Sequence, residues 1–521
     1  MLVDRAQVEA DLARAGELMA EGRTTSAREL LEGRRDSRHA GARARAGLAV
    51  LAALEGGLVS DAVAPSDLDA FRPRLLMEAA LRRGAFAGCL RLARLARGRR
   101  DDAVAAAYEA AARLETGDAA GAAALVSAMP ALVSAPGPGR RLARVLEARA
   151  AGAVLTVSDR RGELAGFFDA QGSFQPEGSG PAAWVPPLAL RAAEDVHPRA
   201  GVRLAADFDL SAAALAALGP YRGSIVLVDV ATGDVLAAVS DARTRAEGGT
   251  PAFDQRRQPA SIQKLVTTAA ALRAGHDPDA EIMRMTCNGA QHYAGGTLWC
   301  SFPAGPLTGG LKEAFALSCN IAFANLAVEL GWPAMVDELR RWGFDRPSGE
   351  MPGAGRVLQT DGSERDLAGL GIGLQLTDIT PAHAALLGAV LAEGRMPEPS
   401  LVSAEDGTLG LSPRAIARRP ARQILDPAWV PVLRRALAGV VEEGGTAEGV
   451  APESFPVVMK TGTAAAPGLG YHVNYVGAGP LPHPTIAFCV RVTHEPSSHR
   501  VREAAQQVLS TLLEGLGRRR R

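Results

Sequence analysis

One change of pattern near residue 200 constrains the fold of this chain more than any other feature. Residues 1–133 are rich in Ala, Leu, Arg and Glu, with helical periods separated by glycine and almost no strand signals. Beyond residue 201 the pattern becomes mixed. Ser224–Val230 is a β-branched run, Ala231–Asp234 a turn, and Val235–Val239 a second run, which together predict a β-hairpin. Helical patterns follow at about 261–274, 308–331, 334–342, 377–393 and 428–443. Three strands are expected over 455–463, 472–479 and 485–493, then an amphipathic helix over 501–516. Strands, helices, strands and a last helix make one α+β domain over 201–517.

The first part has its own organisation. Gly22, Gly56, Gly84 and Gly117 close similar helical stretches at spacings of 34, 28 and 33 residues. This resembles a tetratricopeptide-like array of helix pairs, although the aromatic and proline signature positions are mostly missing. An irregular all-α domain is the other reading. Either way, a helical groove over 1–133 suggests a protein partner. Ser134–Gly139 is a breaker cluster, so 134–200 is read as a linker with a small strand and loop segment. It holds a helix at 140–151, a strand-turn-strand over 153–168 and a loop over 171–187. Arg518–Arg521 reads as a basic, solvated tail, with contact to anionic lipid as the alternative.

Zero formal net charge gives no reason to expect nucleic acid. No zinc-like Cys/His spacing or His-Glu-x-x-His occurs, so neither a metal nor a cofactor is expected. Only three of the 57 basic residues are lysine: Lys264, Lys312 and Lys460. Arg stays protonated, whereas a buried Lys can lose its proton. A chain this poor in lysine is expected to keep it where Arg would not serve.

Two of the three lie in short motifs. Ser261-Ile262-Gln263-Lys264 opens a helical run, with Lys264 on the face of Ser261. A serine hydroxyl is a weak nucleophile until a base takes its proton, and a desolvated lysine can be that base. Ser318-Cys319-Asn320 offers a hydroxyl and a carboxamide two positions apart. Lys460-Thr461-Gly462-Thr463 continues an apolar strand, and glycine inside a strand often marks close approach of another backbone. A peptide substrate along an exposed strand edge would fit there. The Thr463 and Ser261 N–H groups are candidates for an oxyanion site, and Lys460 for a fixed positive charge.

Ser-x-x-Lys, Ser-x-Asn and Lys-Thr-Gly in this order resemble the motif set of the penicillin-binding protein transpeptidases. Further stretches are similar to that family: Gly223–Ser240 with its Asp-x-x-Thr-Gly turn, Arg257–Ser261, Ala316–Phe323, Gly371–Pro381 and Tyr475-Val476-Gly477. The resemblance implies an antiparallel sheet flanked by helices, as in β-lactamases. It implies Ser261 as nucleophile, Lys264 as base, Ser318 and Lys460 as proton relays, and Asn320 and Lys460 as orienting groups. Thr461, Gly462 and Thr463 would line the substrate strand. The implied reaction is D,D-transpeptidation of peptidoglycan stem peptides, with β-lactams acylating the same serine. Nothing before residue 200 resembles a glycosyltransferase.

The same fold with water as acceptor gives a D,D-carboxypeptidase or a serine β-lactamase. A non-catalytic sensor or scaffold that binds β-lactam or stem peptide is an alternative of another class. The resemblance also implies work in the cell envelope, on the periplasmic side of the inner membrane. Yet the start lacks a signal-peptide pattern and no stretch reaches membrane-spanning length. The cysteines number five, so at least one is unpaired within the chain. Cys287 and Cys300 are read either as a disulfide or as two thiols.

Overall fold

The computed structural model describes residues 2–21, 23–36, 40–55, 85–96, 102–128, 153–177, 201–300, 305–346, 355–406, 413–466 and 468–519. Shorter described pieces are 71, 76–77, 80–81, 144–145, 147–149, 189–190 and 192–193. Contacts divide the chain into two units: Met1–Ala182 with Ala193–Arg203 and Ala404–Ile416, and Ala183–Ala192 with Leu204–Ser403 and Ala417–Arg521.

The first unit is helical over α1 (Leu2–Glu21), α2 (Thr24–Glu32), α3 (Gly41–Leu54), α4 (Phe86–Ala96), α5 (Asp102–Glu115) and α6 (Ala119–Ser127). Its core is built largely from alanine, leucine and methionine, with Phe71 fully buried among them. Small residues make room for that ring: a Cβ on Gly47 would lie 2.7 Å from Phe71 Cζ. Three of the four spaced glycines (Gly22, Gly56 and Gly84) lie outside the described residues, as does most of the helix expected at 140–151.

The same unit carries a six-stranded sheet. β1 (Leu155–Ser158) pairs antiparallel with β2 (Leu164–Phe168), which pairs with β3 (Phe174–Pro176). The β1–β2 turn is the expected one, closed by Asp159 Oδ1 accepting the Arg161 and Glu163 N–H groups at 2.8 Å. β3 falls where a loop is expected. On its other side β1 pairs parallel with β4 (Gly201–Leu204), and strands Val402–Asp406 and Pro413–Ala415 complete the sheet. Residues 201–203 and 404–416 therefore belong with this sheet, although the expected boundary puts them in the second part. Strand pairing, invisible to local pattern, moves them. Arg203 Nε and Asp406 Oδ1 lock the two segments together at 2.6 Å.

The second unit begins with α7 (Phe208–Leu218), capped by Asp207, whose side chain accepts the Leu210 N–H. Its five-stranded antiparallel sheet runs β9 (Val458–Ala466), β10 (Gly470–Gly479), β11 (Ile486–Glu495), β5 (Gly223–Asp229) and β6 (Val235–Ser240). The expected hairpin and all three expected closing strands are present. β7 (Ala290–Tyr293) and β8 (Gly296–Trp299) form a separate hairpin.

Among its helices are α8 (Lys264–Arg273), α9 (Gly310–Ala316), α10 (Asn320–Arg341), α11 (Pro381–Glu393) and α12 (Ser498–Arg518), and the run expected at 428–443 is helical over Trp429–Ala438. Several expected bounds change. The run over 308–331 breaks into α9 and α10, bent by 120°, because Ser318 adopts φ +55° between them. The helix expected from 377 starts at Pro381, with Thr380 capping the His383 N–H, while Thr377–Ile379 pairs as a strand with Gly355–Val357. α11 is buried from Pro381 to Ala392 and packs on the sheet, as expected for a helix apolar on all sides. Arg518 ends α12 rather than starting a tail, and Arg520–Arg521 lie outside the described residues. Among the described residues no single helix is long and apolar enough to cross a membrane.

Candidate active site

The nucleophile motif sits in a 3-10 turn, Ala260–Gln263, at the head of α8. A 3-10 turn eclipses residues three apart, which puts Ser261 and Lys264 on one side. Ala260 takes φ +53°, and its N–H donates to the Gly373 carbonyl at 2.8 Å. Gly373 (φ +68°) is needed there, since a Cβ would stand 2.3 Å from the Ala260 oxygen. Residues 371–373 thus support the turn that presents Ser261.

The β9 motif meets the same turn. A Cβ on Gly462 would lie 2.7 Å from the Pro259 carbonyl oxygen. The glycine does mark close backbone approach, but the approaching backbone is the nucleophile turn, not only a substrate. β9 is the edge of its sheet, the position at which an extended peptide can add as a further strand. Thr461 and Thr463 line the cleft, and the Thr461 hydroxyl donates to Thr446 Oγ1 at 2.8 Å.

The break between α9 and α10 brings the middle motif to the two lysines. Lys264 Nζ donates to the Ser318 carbonyl at 2.6 Å and to Asn320 Oδ1 at 2.9 Å, and lies 3.2 Å from Ser318 Oγ. Lys460 Nζ reaches Ser318 Oγ at 3.0 Å and the Thr461 carbonyl at 3.0 Å. One hydroxyl therefore bridges two amines. Asn320 is fixed at both ends, because its Nδ2 donates to the Trp299 carbonyl at 2.9 Å. The Ser261 hydroxyl makes no hydrogen bond among the described residues. Catalytic hydrogen bonds often close only when substrate binds.

Both lysines are fully buried. Burial lowers the Lys264 pKa from its ordinary value to about 8. Lys460 is pushed well below its usual range by burial and then by the neighbouring Lys264 charge. The fixed positive charge expected of Lys460 is thus opposed, because burial disfavours an ammonium and two ammonium groups around one hydroxyl repel.

The cleft is lined by Ser261, Ser318, Asn320, Leu374, Thr446, Thr461, Thr463 and Arg502. It gathers the site residues read from sequence, except for the two buried lysines and Gly462, which packs against the nucleophile turn. Thr446 and Arg502 were missed, because neither sits in a spaced motif.

Also missed was the buried row behind the turn. Gly462, Asn474, Arg491, Ser224 and Ser240 face one another across five strands. Arg491 donates to Asn474 Oδ1 at 2.6 Å, the Gln255 carbonyl at 2.8 Å and the Ile379 carbonyl at 2.9 Å. His472, kept neutral by burial with its pKa near 4, bonds the Gln258 carbonyl at 3.0 Å through Nε2. Arg491 and His472 hold the segment that leads into Ser261. A polar residue within each of the apolar strands β10 and β11 is the signal that could have marked them.

No disulfide joins the cysteines. Instead, the Cys287, Cys300 and Cys319 sulfurs lie within 4.8 Å of one another. They are soft donors, and no fourth His, Cys, Asp or Glu joins them among the described residues.

A family model described as penicillin binding protein transpeptidase domain matches residues 223–514. The chain is 28% identical over 317 residues to peptidoglycan D,D-transpeptidase PbpA of Mycolicibacterium smegmatis, covering 53% of this chain and 62% of that protein. The chain thus spans about three fifths of that relative's length, and 45% of that of penicillin-binding protein PbpB from the same organism. In structure it resembles the D,D-transpeptidase domain of a peptidoglycan glycosyltransferase from Eggerthella lenta. There the TM-score is 0.60 at 22% identity, covering 70% of this chain and 99% of that one. The penicillin G acyl-enzyme complex of penicillin-binding protein A from Mycobacterium tuberculosis aligns with TM-score 0.57 at 20% identity, covering 70% of this chain and 99% of that one. At these identities the structural likeness speaks for the fold.

Proposed function

Since the chain belongs to the penicillin-binding protein transpeptidase domain family, we propose that it is a peptidoglycan D,D-transpeptidase that β-lactams acylate at Ser261. The observation that carries this reading is the convergence of Lys264 and Lys460 on Ser318 Oγ at 3.2 and 3.0 Å, behind a cleft lined by Ser261 and Thr463. Neutral Lys264 takes the Ser261 proton as Oγ attacks the penultimate D-Ala carbonyl of a stem peptide. The oxyanion forms between the Ser261 and Thr463 N–H groups. Ser318 passes a proton from the lysine pair to the departing D-Ala amine. An amine of a neighbouring stem then takes the acyl group and closes the cross-link. Asn320 orients the donor amide, and Lys460 meets its carboxylate.

No carboxylate lines the cleft among the described residues. Without a base to activate water, a long-lived acyl-enzyme is favoured over hydrolysis, which supports transpeptidation over β-lactamase activity. Complete motif side chains support an enzyme over a sensor. The family works in the cell envelope, and we place this site on the outer side of the inner membrane, where its substrate lies. Residues 1–133 are proposed to dock a protein partner through their helical surface.

Incubation with fluorescent penicillin tests this reading. The wild type is expected to label stably and Ser261→Ala not at all. Rapid release of the label would favour a hydrolase, and an unlabelled wild type would end the catalytic reading.

A further inference from the structure

Cys319 stands between the two working residues of the middle motif, Ser318 and Asn320. Its sulfur is 3.9 Å from Cys300 Sγ. Cys300 Sγ in turn accepts the Asn320 backbone N–H at 3.3 Å. Cys300 follows Trp299, whose carbonyl holds the Asn320 side chain, and its own N–H is fixed to the Gly289 carbonyl at 2.8 Å. Cys287 completes the triad. Cys287 and Cys319 are buried, while Cys300 is partly exposed. Three sulfurs with no fourth donor among the described residues fall short of the four-ligand set of a structural zinc site. Their contact distances suit thiol chemistry instead.

We propose that Cys300 and Cys319 form a redox modification site. A small disulfide of the glutathione class joins them, and the bond draws Ser318 and Asn320 away from Lys264. The proposal rests on the reading of the cleft as an acyl-transfer site. The Cys300 thiolate attacks one sulfur of the small disulfide, forming a mixed disulfide and expelling one thiolate. Cys319, deprotonated, then attacks the Cys300 sulfur, forming the internal bond and expelling the second. The two thiol protons end on the two released small thiols, and the two electrons given up by the cysteine pair reduce the oxidant. A disulfide bond is about 2.05 Å long, so the two sulfurs must close by about 1.9 Å from their present contact. That closure removes the Asn320 N–H from its sulfur acceptor and shifts the chain on either side of Cys319. Cys287 and Cys319 are buried and Cys300 is partly exposed, so Cys300 is the entry point; the hydrogen bond with Cys300 and then burial raise the Cys319 pKa, and burial raises that of Cys287.

The full-length protein, kept in EDTA, is incubated with oxidised or reduced glutathione. Intact mass, a peptide map and the rate of fluorescent-penicillin acylation are then read. Oxidation is expected to remove two hydrogens and link the peptides holding residues 300 and 319. It should slow acylation by about 10- to 100-fold, as misplacement by an ångström can do, and dithiothreitol should restore it. Cys300→Ser retains an acceptor for Asn320 and should keep its rate through oxidation, while Cys287→Ser should still be inhibited. A map without the 300–319 link, or an oxidised rate equal to the reduced rate, would overturn the proposal. Failure of the reduced protein to label would overturn the acyl-transfer reading beneath it, whereas the map decides the bond by itself.

Discussion

Two regions of the second unit bury cations, and they do so to opposite ends. Behind the nucleophile turn, Arg491 is fully buried and spends its guanidinium on three acceptors at 2.6–2.9 Å. All three are amide oxygens fixed by the sheet or by the loops it holds. Burial lowers its pKa only to about 10, so it keeps its charge at any physiological pH. In the cleft, Lys264 is equally buried and also has three oxygens around it, but one is a hydroxyl shared with Lys460. Its pKa falls to about 8, where the proton can come and go. One region uses a charge that locks a loop, and the other uses a charge that can be lost.

Lys264→Arg attacks that contrast most directly. An arginine stays protonated in a protein and cannot serve as base. Acylation by fluorescent penicillin should fall by about 10²- to 10⁴-fold, the usual worth of a general base. A near-normal rate would show that Lys264 acts only as a positive anchor, like Arg491.

The pH dependence of the wild type sharpens the same point. The base form of Lys264 is the neutral amine, so protonation removes it as pH falls below about 8. The second-order rate of acylation should rise about tenfold per pH unit below that value and level off above it. A flat profile between pH 6 and 8 would place the base elsewhere.

Arg491→Lys tests the locking side. Lysine keeps a charge but cannot fork to Asn474, Gln255 and Ile379 together. Hydrogen bonds to charged groups are worth about 1.5–3 kcal/mol each, so thermal unfolding should show a loss of about 2–3 kcal/mol. Acylation should suffer less than in Lys264→Arg. An equally deep loss in a folded Arg491→Lys protein would erase the distinction between the two regions.

The contrast also marks how far the chain could be read without its structure. Ser261, Lys264, Ser318, Asn320 and Lys460 stand in short motifs with fixed order, and local pattern placed four of the five sheet strands close to their observed bounds. Ser318 was legible as a residue, but its φ of +55° and the 120° bend were not, because a continuous apolar pattern spans both helices. The Arg491 row was hidden for a different reason. Its members come from five strands, most of them far apart in sequence, and only the register across the sheet brings them into line. Residues 201–203 and 404–406 were grouped with the second part and their strands were not read, because pairing partners, rather than local propensity, decide which sheet a strand joins. The cysteine triad needed the bend after α9, which carries Cys319 to the Cys300 sulfur.

Lys312 supplies the smallest expected effect and the control for the whole contrast. It shares the scarcity of Lys264 and Lys460 but not their burial: its side chain is 52% exposed and pairs with Glu442, itself 49% exposed, at 2.6 Å. An exposed pair of this kind is worth about 0–1 kcal/mol, and Arg can make it as well. Its stem passes Gly439, where a Cβ would come 3.1 Å from Lys312 Cγ, so packing asks only for an aliphatic chain, which Arg also has. Lys312→Arg should therefore leave acylation unchanged and shift stability by no more than about 0.5 kcal/mol. A loss of acylation in Lys312→Arg would mean that lysine itself, rather than its desolvation beside Ser318, distinguishes these positions. The contrast between a movable proton and a fixed charge would then have to be drawn somewhere other than burial.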